Sequence, residues 1–294
     1  MPAGRFAPSP TGDLHIGNLR TALLAWLFAR STGRQFLLRI EDLDRVRAGS
    51  ERGQLDDLRA IGIDWDGDIV RQSERTALYS QAVADLQERG LVYECYCSRR
   101  DIREAASAPH APQGAYPGTC RNLTEAERAA KRFIRPAALR LRSDVTGGYT
   151  ITDKIRGSFT GTVDDMVLVR NEGAVAYNLA VVLDDADQGI DQVVRGDDLI
   201  YSTPRQVYLA RLLNLPVPTF VHVPLALNAE GQRLAKRDGA VTLAKLAEKG
   251  ITAGDARTLI LESLGLAGGE PSDILQQFDP RRLPREPWTF IPPA

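Results

Sequence analysis

Arg5-Phe6-Ala7-Pro8-Ser9-Pro10-Thr11-Gly12-Asp13-Leu14-His15-Ile16-Gly17-Asn18 decides how this 294-residue chain is read. A short apolar segment near Gly4–Ala7 reads as a strand. A Gly-bracketed turn follows, and then an apolar-periodic helix from about Leu19 to Ala29, ending near Gly33. The first N–H groups of a helix lack intrahelical partners, so a strand, a tight turn and a helix N-terminus make a natural phosphate site. Thr11 and His15 would add side-chain donors, while Gly12 and Gly17 would let a nucleotide approach the backbone closely. Taken alone, the segment also fits an ordinary surface turn with His15 packed or solvated.

Two distant segments change that balance. Gly231-Gln232-Arg233-Leu234-Ala235-Lys236-Arg237-Asp238-Gly239 is a cationic, Gly-bounded loop after the apolar run Phe220 to Leu227. An ammonium at Lys236 suits the charge that develops on a phosphorus under attack. Val193-Val194-Arg195-Gly196-Asp197-Asp198-Leu199 is a buried-type strand with charged residues at its carboxyl end, where open α/β sheets bind ligands.

In this order the three segments resemble the catalytic core of class I aminoacyl-tRNA synthetases of the glutamyl type. Arg5 to Gly12 and His15-Ile16-Gly17-Asn18 match that family's first signature, whose last position is more often His. Arg233-Leu234-Ala235-Lys236-Arg237 matches the second imperfectly. Arg233 stands for the usual Lys and Ala235 for the usual Ser, while Lys236, expected to touch ATP, is kept. The matches span roughly residues 5 to 240.

The pattern along the chain predicts an α/β fold: a Rossmann-type doubly wound parallel sheet with a zinc-containing insertion and a short helical C-terminal region. Gln35–Ile40 reads as a strand, Ser50–Ile61 and Thr76–Arg89 as helices, and this alternation implies a parallel sheet. Parallel-sheet character returns with Tyr177–Asp184 and Gln192–Arg195, before a helix over Thr203–Leu213. The expected division is residues 1–91 and 171–220 for the catalytic domain, 92–170 for the insertion, and 221–294 for a C-terminal region carrying the second signature. About 55 residues follow Gly239, too few for an ordinary anticodon-binding domain.

Charge alone argues for an amino acid with two carboxylates. Arg matches a carboxylate bidentately and a carboxylate matches the ammonium, and Arg5, Arg195 and Glu41 sit at strand ends beside the motifs. The alternative for Arg195 is an ion pair with Asp197 or Asp198. The resemblance puts glutamate against Arg5, Phe6, Ala7, Pro8, Ser9, Glu41, Tyr177 and Arg195, with Arg195 reading the side-chain carboxylate. It puts ATP against Thr11, Gly12, His15, Gly17, Asn18 and Lys236, with Mg²⁺ on the phosphates and His15 and Lys236 as the catalytic groups.

Three cysteines, Cys95, Cys97 and Cys120, are too few for a disulfide framework but could give three thiolates to a tetrahedral zinc. By donor chemistry His110 is the first candidate for the fourth ligand. The resemblance points to Tyr116, since the family's site is a Cys-x-Cys pair, a Tyr and a final Cys, with three residues between the last two. Three free thiols in a loop are the alternative.

Composition is that of a globular protein, with 43% hydrophobic and 26% charged residues, and no run reaches membrane-spanning length. Met1-Pro2-Ala3-Gly4 enters the first motif at once, so no signal peptide and a cytoplasmic, monomeric enzyme are expected. A net charge of −1 does not advertise RNA binding; Arg99, Arg100, Arg103, Arg121, Arg128, Lys131, Arg132, Arg135, Arg140 and Arg142 are the candidate basic patch. Arg195-Gly196-Asp197-Asp198-Leu199-Ile200 lacks the His usual after the acidic pair, which resembles the truncated branch of the family. That branch implies ATP-dependent activation of L-glutamate and its transfer to queuosine in the anticodon loop of tRNA(Asp). The alternatives are a minimal enzyme charging the 3′ end of tRNA(Glu), a small-molecule nucleotidyltransferase, and a non-catalytic binding paralogue.

Overall fold

The computed structural model describes residues 1–98, 100–102, 116–234 and 241–292. Its main sheet has seven strands in the order β3-β2-β1-β9-β10-β6-β7. These are β1 (Ala3–Phe6), β2 (Gln35–Ile40), β3 (Val70–Arg71), β6 (Tyr149–Asp153), β7 (Gly157–Gly161), β9 (Ile190–Gly196) and β10 (Thr219–Val223). Every pairing is parallel except β6 with β7. The strand order reverses at β1, between β2 and β9, and such a switch point opens a crevice at the carboxyl ends of the strands.

Alternation along β1 distributes its side chains. A Cβ on Gly4 would lie 3.0 Å from Ala29 of α1 (Ile16–Arg30), whereas Arg5 turns to the opposite face and meets Asp185. Helix α1 is apolar nearly all round and is buried between the sheet and the C-terminal helices. Arg20 is an exception within it: its guanidinium donates to Ser263 Oγ at 3.0 Å and to the Pro224 carbonyl at 2.7 Å. Burial lowers its pKa to about 10. The other helices are α2 (Ser50–Ala60), α3 (Thr76–Glu88), α4 (Glu125–Arg132), α5 (Tyr177–Asp187), α6 (Thr203–Leu212), α7 (Leu243–Ala247), α8 (Ala253–Glu262) and α9 (Pro271–Gln277). Helices α3, α5 and α6 share a second core cluster, so the sheet is wound on both sides.

One expectation needs correction. Tyr177–Asp184 is not a strand but the first part of helix α5. The run Leu179-Ala180-Val181-Val182-Leu183 is wholly buried, and a short apolar run has no periodicity to separate helix from strand.

Within residues 92–170, β4 (Val92–Cys95), β5 (Ala138–Leu141) and β8 (Val167–Val169) form a separate antiparallel sheet. The hairpin β6–β7 instead continues the main sheet through β10. Near the C-terminus, β12 (Trp288–Thr289) pairs in parallel with β11 (Ala226–Leu227). Among the described residues no helix is long and apolar enough to cross a membrane.

Candidate active site

The turn after β1 is held from two directions. The carbonyls of Pro8 and Pro10 accept from the N–H groups of Glu41 and Arg47 at 3.0 and 2.9 Å. Gln54 of α2, buried, donates to the Ser9 and Gly12 carbonyls at 3.1 and 2.6 Å. Gly12 has φ 144°, a conformation that L side chains rarely adopt. His15 is the N-cap of α1: its Nδ1 accepts from the Asn18 N–H at 3.3 Å while Asn18 Oδ1 accepts from the His15 N–H at 3.4 Å. With Nδ1 an acceptor, Nε2 carries the proton of a neutral ring and is the group His15 can offer to a phosphate. Gly17 has a packing reason beside the expected one, because a Cβ there would come within 3.1 Å of both the His15 ring and Ala226.

The segment beyond the second signature returns to this corner, where Ile16 N–H donates to the Val241 carbonyl at 2.9 Å and His15 bridges to Thr242. Arg233 lines the cleft and pairs with Asp198. Ala235, Lys236 and Arg237 lie outside the described residues.

Arg5, Phe6, Ala7, His15, Gly17, Asn18, Glu41, Tyr177 and Arg195 line one cleft that is open to solvent. Pro8, Ser9 and Thr11 line its continuation. Tyr177, the first residue of α5, is 40% exposed at the mouth.

The two candidate carboxylate readers differ sharply. Arg5 already has a carboxylate: its Nε and Nη2 lie 3.2 and 3.4 Å from the two oxygens of Asp185. Asp185 is shared with Arg39, whose Nη1 donates to it at 2.7 Å. Burial pushes the Asp185 carboxyl up, and Arg5 and Arg39 outweigh it, leaving it below the usual range. Glu41, 3.4 Å from Arg39, is held above its usual value by burial, which Arg39 and Arg5 only partly offset.

Among the described residues Arg195 has no acid partner in salt-bridge contact. Asp197 pairs with Arg156 and Asp198 with Arg233, so the expected alternative of an ion pair with either is not what the fold builds. Instead Arg195 Nε donates to His222 Nε2 at 3.1 Å, and Nη2 donates to Thr203 Oγ1 and Gln206 Oε1, each at 2.8 Å. Nη1 is buried and has no hydrogen-bond partner among the described residues. Burial lowers the pKa of this guanidinium, opposed by the nearby Tyr177 hydroxyl. An arginine still carries its charge under such a shift, so the cleft holds a desolvated cation with two N–H groups to give.

A second constellation lies at the end of β4. The sulfurs of Cys95, Cys97 and Cys120 all fall within 4.8 Å of one another. Tyr116 Oη is 3.3 Å from Cys95 Sγ and 3.7 Å from Cys97 Sγ, and it accepts from the Cys120 N–H at 2.8 Å. Arg140 stacks over the Tyr116 ring with its guanidinium carbon 3.7 Å from the centroid. Burial pushes the Cys97 thiol up to about 12, with the neighbouring Cys95 adding to it; three sulfurs this close, beside a phenol oxygen, are the donor set a tetrahedral zinc takes. The cluster could hold zinc. His110 lies outside the described residues.

Several of the basic residues serve the fold. Arg121 pairs with Asp165, Arg132 with Glu94 and Glu125, while Arg128 and Arg142 cap the carbonyls of Leu123 and Arg121. Arg99 and Arg103 lie outside the described residues.

The doubly wound sheet and the helix N-terminus at its switch point define a Rossmann-type nucleotide-binding core. Residues 3–286 match the family described as tRNA synthetases class I (E and Q), catalytic domain. The chain belongs to that family. It is 63% identical over 287 residues to the glutamyl-Q tRNA(Asp) synthetase of Nocardia farcinica, covering 97% of this chain and 92% of the relative. It is 38% identical over 300 residues to a glutamate–tRNA ligase of Nitrosospira multiformis, covering 98% of this chain and 63% of that protein. The crystal structure of the glutamate-tRNA synthetase from Elizabethkingia anophelis superposes with a TM-score of 0.83 at 28% identity, over 99% of this chain and 68% of that one.

Proposed function

We propose that this protein is a ligase that activates L-glutamate with ATP and transfers it to queuosine in the anticodon loop of tRNA(Asp). The glutamate half rests on Arg195, a buried cation whose Nη1 has no hydrogen-bond partner among the described residues, in the cleft beside His15. A carboxylate would satisfy that group and a neutral amide would leave it poorly paired, which supports glutamate over glutamine. The acceptor half is supported by the 63% identity, over nearly the full length of both chains, to a glutamyl-Q tRNA(Asp) synthetase.

In the first step a glutamate α-carboxylate oxygen attacks the α-phosphorus of ATP, the bond to the bridging oxygen breaks, and pyrophosphate leaves. No covalent bond to the protein is needed, so the chain contributes alignment and charge. Arg195 would fix the side-chain carboxylate, Glu41 and Tyr177 would border the ammonium, and the backbone from Phe6 to Ser9 would form the floor. Thr11, Gly12, Gly17 and Asn18 would frame the nucleotide, with His15 Nε2–H and Lys236 on the phosphates. Mg²⁺ accompanying ATP would neutralise phosphate charge. A queuosine hydroxyl then attacks the mixed anhydride and releases AMP. Cys95, Cys97, Tyr116 and Cys120 would hold a structural zinc that braces the sheet of β4, β5 and β8.

Labelled glutamate and ATP should label tRNA(Asp) carrying queuosine, and neither the same tRNA with guanosine nor tRNA(Glu). Labelling of tRNA(Glu) alone would replace this reading by a minimal glutamyl-tRNA synthetase. Metal analysis of the gel-filtered protein should find one zinc per chain. In Cys97→Ser and Cys120→Ser that metal should be lost, with a melting temperature lower by several degrees. A zinc content unchanged in both variants would remove the metal from this site.

A further inference from the structure

Arg195 reaches the cleft through a chain of buried contacts that begins in the hairpin β6–β7. Asp153, at the end of β6, takes the Ile155 and Arg156 N–H groups on Oδ1 at 2.9 and 2.8 Å. Its Oδ2 meets the His222 N–H at 3.0 Å and His222 Nδ1 at 2.7 Å. His222 lies on β10 in register with Arg195 on β9, so the two side chains share one face of the sheet. Both Asp153 and His222 are fully buried.

The proton positions follow from donor counting. Arginine only donates, so His222 Nε2 must accept from Arg195 Nε; Nδ1 therefore carries the ring proton and donates to Asp153. We propose that His222 is a positioning residue for Arg195: anchored by Asp153, it takes up Nε so that, with Thr203 and Gln206 on Nη2, only Nη1 is left to read the carboxylate of the ligand. Removing the acceptor would leave the guanidinium held at Nη2 alone, by Thr203 and Gln206, so that its Nε edge and with it Nη1 could shift. The inference rests on the reading of Arg195 as the residue that binds the glutamate side chain.

Protonation of His222 would set an imidazolium N–H against a guanidinium N–H. The groups around the ring are Asp153 from β6, Arg195 from β9 and Asp197 from the turn that follows it. Burial, with Arg195, lowers the His222 pKa below its ordinary value despite Asp153. The ring should thus be neutral at pH 7.

With only three histidines in the chain, ¹⁵N-histidine labelling reads the tautomer directly, the His222 signals being assigned by their loss in His222→Gln. The Nδ1–H tautomer, neutral at pH 7, is expected; the Nε2–H tautomer or a charged ring would overturn the inference. In glutamate-dependent ATP–pyrophosphate exchange, His222→Asn keeps a donor toward Asp153 but offers Arg195 no acceptor. It should raise the glutamate KM about tenfold, with kcat and the ATP KM within about twofold. His222→Gln, whose amide oxygen reaches the Nε2 position, should recover most of the loss. A glutamate KM in His222→Asn within twofold of the unmodified protein would sink the proposal. If His222→Asn does not fold, the tautomer measured in the unmodified protein decides alone. Absence of glutamate-dependent exchange in the unmodified protein would overturn the functional reading, and the tautomer would still decide the positioning contact.

Discussion

Arg195→Gln is expected to lower kcat/KM for glutamate in pyrophosphate exchange by about a thousandfold, some 4 kcal/mol, in the range for deleting one partner of a desolvated charge pair. The effect should fall mainly on glutamate affinity, since Arg195 reaches a part of the substrate remote from the reacting carboxyl. Arg195→Lys keeps a charge but not the planar fork that His222, Thr203 and Gln206 hold, and should recover little of the loss. Stability separates this from simple damage to the fold. Among the described residues this buried cation has no acid in salt-bridge contact, and relieving its burial should leave the melting temperature of Arg195→Gln unchanged or higher. A variant that melts like the unmodified protein and keeps its glutamate kcat/KM would remove Arg195 from the site.

The parts of this site that were legible in the sequence are those set by local chemistry. A strand, a Gly-bracketed turn and a helix N-cap are neighbours in the chain, so Arg5, Gly12 and His15 could be placed from spacing. The convergence of Cys95, Cys97 and Cys120 was likewise readable, because thiols at those intervals have few other uses outside disulfides. The charge relations were not. Arg5 and Arg195 looked alike from the sequence as cations at strand ends, yet one is neutralised by Asp185 and the other is not. That difference comes from α5, the segment read as sheet-like, which brings Asp184 and Asp185 under the strands only because it is a helix. His222 was missed because its partners come from β6 and β9, and register between non-adjacent segments leaves no local trace. A signal did exist: Arg39 and His222 interrupt the apolar runs of Phe36–Ile40 and Phe220–Val223, and a buried polar group requires a partner.

Asp185→Asn should be the most destabilising single change at this site. The carboxylate serves two buried guanidiniums at once, Arg5 and Arg39, and Arg39 is wholly enclosed. Removing one partner of a buried ion pair costs about 3–5 kcal/mol, because the charge left behind has neither water nor a counterion. For a chain of this size that is a fall of roughly 10 °C in melting temperature. Remaining contacts of Arg39 with Glu41 and the more distant Asp184 limit the loss but do not replace the 2.7 Å bond. The same pair fixes a pH dependence. The Asp185 carboxyl sits below its ordinary value in the folded chain, so between the folded and unfolded values, the latter about 3.9, the unfolded chain binds more protons. Stability from this group is therefore complete above that unfolded value and is lost as pH falls through the folded one. Urea midpoints taken across the acid range should show a shallower pH slope in Asp185→Asn than in the unmodified protein, besides a lower midpoint at neutral pH. An unchanged midpoint at neutral pH would mean that Arg5 and Arg39 find other acids, and that Arg5 is free to face the ligand after all.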